Sequence, residues 1–241
     1  MARAPIEESR LSPQLPLPIA LRESATFDNF VAGGNAQLVH VLRHILSPGA
    51  ERFVYFWGAP GSGKTHLLQA SCQLSSSIMY VPLSELVGYS PDVLDGLQHT
   101  AMVAIDDVDA VAGVPGWERA LFDLYNRIRD HGQGVLLLSG RAPTARLGLS
   151  LADLQSRLAW GLVFQVHPLD DDAKITALRN RAHHRGLVLP DEATAYLLRH
   201  CQRDLATLFE LLDRLDHASL ADQRRVTVPF IKAVLEAQHH E

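Results

Sequence analysis

The chain reads FVYFWGAPGSGKT over residues 53–65, and this stretch decides its fold. The apolar and aromatic run over 53–57 predicts a buried strand, and the glycine-rich segment after it matches the pattern G-x-x-x-x-G-K-[ST]. The residues from 65 to 74 predict a helix. Because the pattern lies between a strand and a helix, it predicts a phosphate-binding P-loop.

The residues of this loop suit the phosphates of an adenine nucleotide, ADP or ATP. Glycines let consecutive backbone N–H groups face phosphate oxygens, and the N-terminus of the following helix adds positive potential. Lys64 reaches the β- and γ-phosphates, and the Thr65 hydroxyl can bind Mg²⁺. The predicted phosphate-binding residues are Gly58, Pro60, Gly61, Ser62, Gly63, Lys64 and Thr65.

A second motif, MVAIDD over residues 102–107, predicts an apolar strand that ends in two carboxylates. Ligands of parallel α/β sheets bind at the carboxyl ends of the strands. Asp106 therefore suits the role of a Mg²⁺ ligand, and Asp107 can orient a water molecule.

The remaining pattern predicts an α/β core followed by a helical lid. Further strands are predicted at 77–82, 134–139 and 162–167, with helices at 35–47 and 117–129, which favours a parallel sheet covered on both faces. Beyond Pro168 only helical patterns follow, at 170–186, after Pro190, at 203–218 and from 227 onward. We therefore expect a flexible tail at 1–25, a nucleotide-binding core at 26–167 and an all-helical lid at 168–241.

Composition limits the classes of function. The net charge of -5 argues against a broad basic surface for nucleic-acid backbones, so we expect no dedicated DNA-binding module. The two cysteines lack metal-ligand spacing, and we expect buried thiols in a reducing compartment. No apolar run approaches the roughly 20 residues that cross a bilayer, so we expect a cytoplasmic protein without membrane contact.

Two arginines and one segment of the tail can each be interpreted either as functional or as having no specific function. The segment QLPLPI at 14–19 can dock as an extended peptide in a partner's groove, or it can be a plain linker. Arg157 can reach the γ-phosphate bound by a neighbouring subunit, and Arg203 can reach back to the chain's own nucleotide. Either arginine can equally form a surface salt bridge.

With these motifs in order, residues 26–236 resemble the AAA+ ATPases, and within them the DnaA/Hda group of replication proteins. The segment TFDNFV at 26–31 resembles the part that lines the adenine pocket, which implies roles for Phe30 and Val31. The resemblance implies that Arg157 is an arginine finger acting in trans and that Arg203 lies in the sensor II stretch. At the sensor I position, Arg141 stands where DnaA has an aspartate, so a sensing carboxylate is not expected there.

The chain resembles in particular the regulators of this group that lack the helicase-contacting and DNA-binding regions of DnaA, and we expect it to lack both. This resemblance implies that the tail binds the sliding clamp, the β subunit of DNA polymerase III, and that the chain contacts DNA indirectly through the clamp. The implied clamp-binding residues are Gln14, Leu15, Leu17 and Pro18.

The implied function is negative regulation of replication initiation through stimulated hydrolysis of the ATP that DnaA binds. The sequence leaves open whether the chain hydrolyses ATP itself and whether it forms a homo-oligomer. The alternatives are a helicase loader or adaptor that uses its own ATP cycle, and a P-loop kinase of small molecules.

Overall fold

The computed structural model describes residues 25–201, 205–222 and 225–237. A five-stranded sheet forms its centre, and every neighbouring pair of strands is parallel. The strands are β1 (Phe53–Trp57), β2 (Ile78–Pro82), β3 (Met102–Asp106), β4 (Val135–Gly140) and β5 (Leu162–Gln165). Their order in the sheet is β2-β3-β4-β1-β5.

Helices connect the strands and continue after the last of them. The helices are α1 (Ala36–Arg43), α2 (Lys64–Cys72), α3 (Leu83–Leu86), α4 (Pro115–His131), α5 (Ala152–Leu158), α6 (Asp171–His184), α7 (Asp191–His200), α8 (Leu205–Asp222) and α9 (Val228–Ala237). Individual residues explain where several of these helices begin or end. Pro115 opens α4, Gly132 ends it in the left-handed region at φ 70°, and the Asp170 carboxylate caps α6.

The sheet is covered on both faces because alternate residues of each strand point to opposite sides. On one face, Phe53 and Tyr55 of β1 pack in a cluster with residues of α3, α4 and α5. On the other face, Val54 and Phe56 pack with residues of α1 and α2. This arrangement confirms the predicted α/β class.

The helices after residue 170 form a separate hydrophobic cluster, in which α6, α7, α8 and α9 bury Leu178, Leu197, Leu211 and Phe230 among others. The Asn35 side chain anchors the chain just before these helices, since it donates to the His167 carbonyl at 2.9 Å and accepts from the His167 N–H at 2.8 Å. The architecture is thus a parallel core with a helical lid, as predicted; the division at residue 168 stays a prediction.

Several predicted boundaries differ from the structure. The helix predicted at 35–47 ends at Arg43, where turns replace it, and the strand predicted at 162–167 ends at Gln165. Ala25, assigned to the tail, is buried, and its carbonyl accepts a hydrogen bond from Gln73 at 2.7 Å, so packing begins earlier than predicted. Within the described ranges, no helix combines the length and apolarity needed to cross a bilayer.

Candidate functional site

The glycine-rich loop joins the carboxyl end of β1 to the first residue of α2. Gly61 and Gly63 take positive φ angles of 75° and 96°, which glycine adopts without steric cost. The Gly58 N–H donates to the Gly140 carbonyl at 3.2 Å, so the loop is tied to the end of β4. The backbone therefore makes the tight turn that the P-loop pattern requires.

Lys64 begins α2 and is buried beneath the loop. Its ammonium donates to the carbonyl oxygens of Gly58 at 2.9 Å and Ala59 at 3.1 Å. Burial lowers the pKa of Lys64, while the nearby carboxylates of Asp107, Asp106 and Asp109 act in the opposite direction. With two of three ammonium protons bound to the loop, the third can be donated to an anion.

Two further features of the loop fit a phosphate ligand. The Ser62 hydroxyl is buried and has no hydrogen-bond partner among the described residues. The Phe30 ring lies against Gly63 so closely that a β-carbon there would approach it to 2.9 Å. Phe30 also lies 5.3 Å from the His66 ring of α2, which brings the predicted adenine-pocket segment beside the loop.

Asp106, the last residue of β3, is held by side chains of both neighbouring strands. Its Oδ2 accepts from the Tyr80 hydroxyl of β2 at 2.8 Å, and its Oδ1 accepts from the Ser139 hydroxyl of β4. The Asp107 N–H also donates to Oδ1 at 3.1 Å. Asp106 is 2% exposed, so burial desolvates its carboxylate while this network satisfies and orients it.

Asp107 has the left-handed backbone conformation, with φ 55°, and it is the only non-glycine residue with a positive φ among those described. Its Oδ2 accepts from the Ser84 hydroxyl at 3.0 Å. Burial raises the pKa of Asp107, and the adjacent Asp106 raises it further. Strain of this kind, together with a perturbed pKa, is concentrated at functional sites.

The donor chemistry around Asp106 fits Mg²⁺, which prefers oxygen ligands. Asp106 has one accepting position left after its three hydrogen bonds, and Thr65 presents an exposed hydroxyl at the start of α2. Asp106 and Thr65 are therefore the residues that would hold the ion.

An ion pair links the segments that follow β3 and β4 at the same edge of the sheet. Arg141 directly follows β4, and its Nε lies 3.1 Å from Oδ2 of Asp109 in the turn after β3. A carboxylate is thus present beside the sensor I position, but it comes from the β3 turn. Arg141 also acts on Lys64, because its charge contributes to the lowered pKa of that ammonium.

Arg157 lies on α5, away from the P-loop. Its guanidinium lies over the Tyr125 ring at 5.9 Å and over the Trp160 ring at 5.0 Å. The Tyr125 ring in turn lies 4.3 Å from the ring of Phe53, the first residue of β1. Arg157 is therefore near the amino end of β1, whereas the P-loop follows its carboxyl end.

The structure thus places Lys64 near Asp106 and Asp107, with Thr65 next to it on α2, whereas Arg157 packs near the other end of β1. The predicted residues Gln14, Leu15, Leu17, Pro18 and Arg203 lie outside the described residues. Sequence reasoning missed Tyr80, Ser139, Asp109 and Glu118. The signal for Tyr80 and Ser139 was a polar side chain within an otherwise apolar strand, since buried polar groups need partners.

Glu118 illustrates a contact that no local pattern indicates. It is 1% exposed on α4, and its Oε1 accepts from the N–H groups of Gly113 at 2.6 Å and Ser150 at 3.0 Å. Its Oε2 accepts from the Leu151 N–H at 2.6 Å. Glu118 therefore joins the loop before α4 to the residue that caps α5, the helix that carries Arg157.

Comparisons with known proteins agree with this arrangement. The family model for the Hda lid domain matches residues 171–235, and the model for the bacterial DnaA ATPase domain matches residues 21–80.

Solved structures share the fold at low sequence identity. Domain III of the replication initiation protein DnaA from Thermotoga maritima is 24% identical, with a TM-score of 0.78, over 91% of this chain and 98% of that one. AMPPCP-bound DnaA from Aquifex aeolicus is 20% identical, with a TM-score of 0.68, over 80% of this chain and 65% of that one. The Holliday junction branch migration motor RuvB from Thermotoga maritima is 18% identical, with a TM-score of 0.65, over 84% and 67% of the two chains.

The two family matches cover the P-loop segment at one end and the helical lid at the other, and the fold between them is that of DnaA domain III. The chain is therefore an AAA+ protein related to Hda and DnaA, a DnaA-related replication regulator or AAA+ ATPase.

Proposed function

We propose that this chain is a negative regulator of replication initiation. It binds the sliding clamp through its tail and stimulates, in trans, hydrolysis of the ATP that DnaA holds, which leaves DnaA in its inactive ADP form. The observation that carries this proposal is the position of Arg157 at the end of the core opposite to its own P-loop.

The length of β1 supports action in trans. Four residue steps separate Phe53 from Trp57, which corresponds to about 13 Å of extended strand. Arg157 packs near Phe53 through Tyr125, and the P-loop begins after Trp57. An arginine at this end is suited to a nucleotide bound by another molecule.

The expected effect of such an arginine is large. A planar, permanently charged guanidinium stabilises the charge on transferring phosphoryl oxygens. Arginine fingers supplied in trans increase hydrolysis by roughly 10³- to 10⁵-fold, which corresponds to about 4–7 kcal/mol of activation free energy. This range is sufficient to convert a slow ATPase into a switch.

The chain's own P-loop binds ADP or ATP in this proposal. The DnaA structure from Aquifex aeolicus that shares the fold is bound to AMPPCP, which supports an adenine nucleotide here. Lys64 would contact the phosphates, Phe30 and Val31 would line the adenine pocket, and Asp106 with Thr65 would hold Mg²⁺. The ion would neutralise phosphate charge, and Asp107 would orient a water molecule if this chain hydrolyses its own nucleotide.

The test is a measurement of the hydrolysis of DnaA-bound ATP in the presence of purified clamp, DNA and this protein. Arg157→Ala and Arg157→Lys should both abolish most of the stimulation, because lysine lacks the planar fork. Arg146→Ala is the matched control, since it removes the same charge from an exposed position on the turn before α5. Full stimulation by Arg157→Ala would refute the mechanism.

The clamp contact requires a separate test. The double variant Gln14→Ala/Leu17→Ala should lose binding to the isolated clamp, measured by surface plasmon resonance. Glu23→Ala is the control, because it changes a residue of the same tail outside the segment at 14–19. Undiminished binding by the double variant would contradict the assignment of the clamp-binding segment.

A helicase loader or adaptor ATPase is the second candidate. The intact P-loop and the oriented Asp106 support a nucleotide cycle within this chain. This function predicts ATP turnover that depends on a partner and is lost with Lys64→Ala. It also predicts no dependence on residues 14–19.

A further inference from the structure

We propose that Tyr125 and Trp160 are positioning residues, which hold the Arg157 guanidinium between two aromatic rings so that its N–H donors face an anionic group of a partner. This inference rests on the proposed function of Arg157.

Tyr125 is held in place by the core of the protein. Its side chain is buried in the core cluster on one face of the sheet, against the ring of Phe53 at 4.3 Å. Because α4 and β1 both hold this ring, it is a rigid base for the guanidinium that lies 5.9 Å from its centre.

The guanidinium of Arg157 also lies over the Trp160 ring, 5.0 Å from its centre. The turn after α5 directs the Trp160 ring there. The Trp160 N–H donates to the Arg157 carbonyl at 3.1 Å, and a β-carbon on Gly161 would overlap the carbonyl oxygen of Phe53. The chain therefore passes tightly over the start of β1 immediately after Trp160.

Trp160 and Arg157 are available to a partner. Trp160 is 68% exposed, which is unusual for a tryptophan that has no ligand or partner to contact. Among the described residues no carboxylate forms an ion pair with Arg157, although Asp153 lines the same cleft of about 380 Å³.

Aromatic contact leaves the chemistry of the arginine intact. An aromatic ring attracts a guanidinium that lies over the face of the ring. The five N–H donors of the guanidinium lie in the plane of that group. A carboxylate in place of the rings would occupy those donors and neutralise the charge. The two rings thus order Arg157 while its donors stay available to a phosphate.

The kinetic test separates positioning from simple docking. Trp160→Ala should lower the maximal stimulated rate of hydrolysis by about tenfold, the scale of a cation–π contact, with little change in the half-saturating concentration. Trp160→Phe should restore most of the rate because it keeps a ring. Val163→Ala, which removes an exposed apolar side chain on β5, is the matched control. A change in half-saturation alone, or equal defects in the two Trp160 variants, would overturn the proposal.

A second readout does not depend on hydrolysis. In the ¹⁵N spectrum of the full chain, ring currents should shift the Nε–Hε signal of Arg157, identified by its loss in Arg157→Lys. Trp160→Ala should move this signal toward the value of a free arginine, and Trp160→Phe should leave it intermediate. An unchanged signal would refute the stack. If Arg157→Ala keeps full stimulation, the proposed function fails, whereas the spectrum still decides the positioning role.

Discussion

Arg141 and Asp109 are joined at two points, since the Arg141 backbone N–H donates to Asp109 Oδ1 at 2.9 Å and its Nε lies 3.1 Å from Oδ2. The pair links the loop after β4 to the turn after β3, at the edge where Lys64 lies. Asp109 raises the pKa of Lys64, whereas Arg141 lowers it.

Arg141→Ala should therefore weaken ADP binding by about two- to fivefold, the scale of an exposed charge interaction. Asp109→Asn should strengthen it slightly, because a negative charge near the phosphates is removed. Isothermal titration calorimetry at low and high salt checks both, and the difference should shrink as salt screens the charges. Changes in the same direction for both variants would contradict this prediction.

Tyr80→Phe should destabilise the protein through Asp106. The buried carboxylate would lose the donor at 2.8 Å from its Oδ2, and a buried acceptor without its partner costs about 1–3 kcal/mol. Urea unfolding followed by circular dichroism measures this loss in the free energy of unfolding. Tyr89→Phe, at an exposed tyrosine, should change it little.

Glu118→Ala should have a larger effect, because three backbone N–H groups lose their acceptor. At about 1 kcal/mol or more for each unsatisfied donor, we expect a loss of about 3 kcal/mol or more. Glu118→Gln keeps one carbonyl oxygen and should lose less. Glu85→Ala on the exposed side of α3 is the control, and a loss below about 1 kcal/mol for Glu118→Ala would disprove the role of this acid.

Stability should decrease at alkaline pH because of buried acids. Burial, with a smaller contribution from Asp106, raises the pKa of the Cys72 thiol from 9.0 to about 12. Since the pKa in the folded state is the higher one, the stabilising contribution of the protonated thiol is full below pH 9 and is lost between pH 9 and about pH 12.

Cys72→Ala should remove up to about 1.4 kcal/mol per pH unit from the slope of stability in this range, measured by urea unfolding at several pH values. Part of the dependence of stability on pH should remain in this variant, because burial also raises the pKa of the Tyr55 and Tyr80 phenols. Cys201→Ala, at a partly buried thiol, should change the slope less. An identical slope for Cys72→Ala and the unmodified chain would contradict the prediction.

The long, locally encoded features could be predicted from the sequence. Strand β1 has the predicted bounds, and α4 extends the predicted 117–129 by two residues at each end, because Pro115 and Gly132 provide its start and stop. The helices α3 and α5 were not predicted, since four and seven residues are too few to show a helical period.

Contacts between distant parts of the chain could not be predicted. Tyr80 and Ser139 meet Asp106 only because β2 and β4 flank β3 in the sheet, and strand order is not a property of any single segment. The pair of Arg141 and Asp109 depends on the same strand neighbours. The P-loop and the acidic end of β3 could be predicted because each motif is a continuous stretch of the sequence.

The placement of Arg157 and the P-loop at opposite ends of the core gives the molecule a direction. A contact that brings Arg157 of one molecule to the P-loop edge of another joins two different surfaces, so it is heterologous. In a pair joined this way, the molecule that contributes Arg157 keeps its P-loop edge unused. The other molecule keeps its Arg157 surface unused. An assembly of this kind that does not close into a ring has two unlike ends, so its terminal members have unequal roles although their domains are similar.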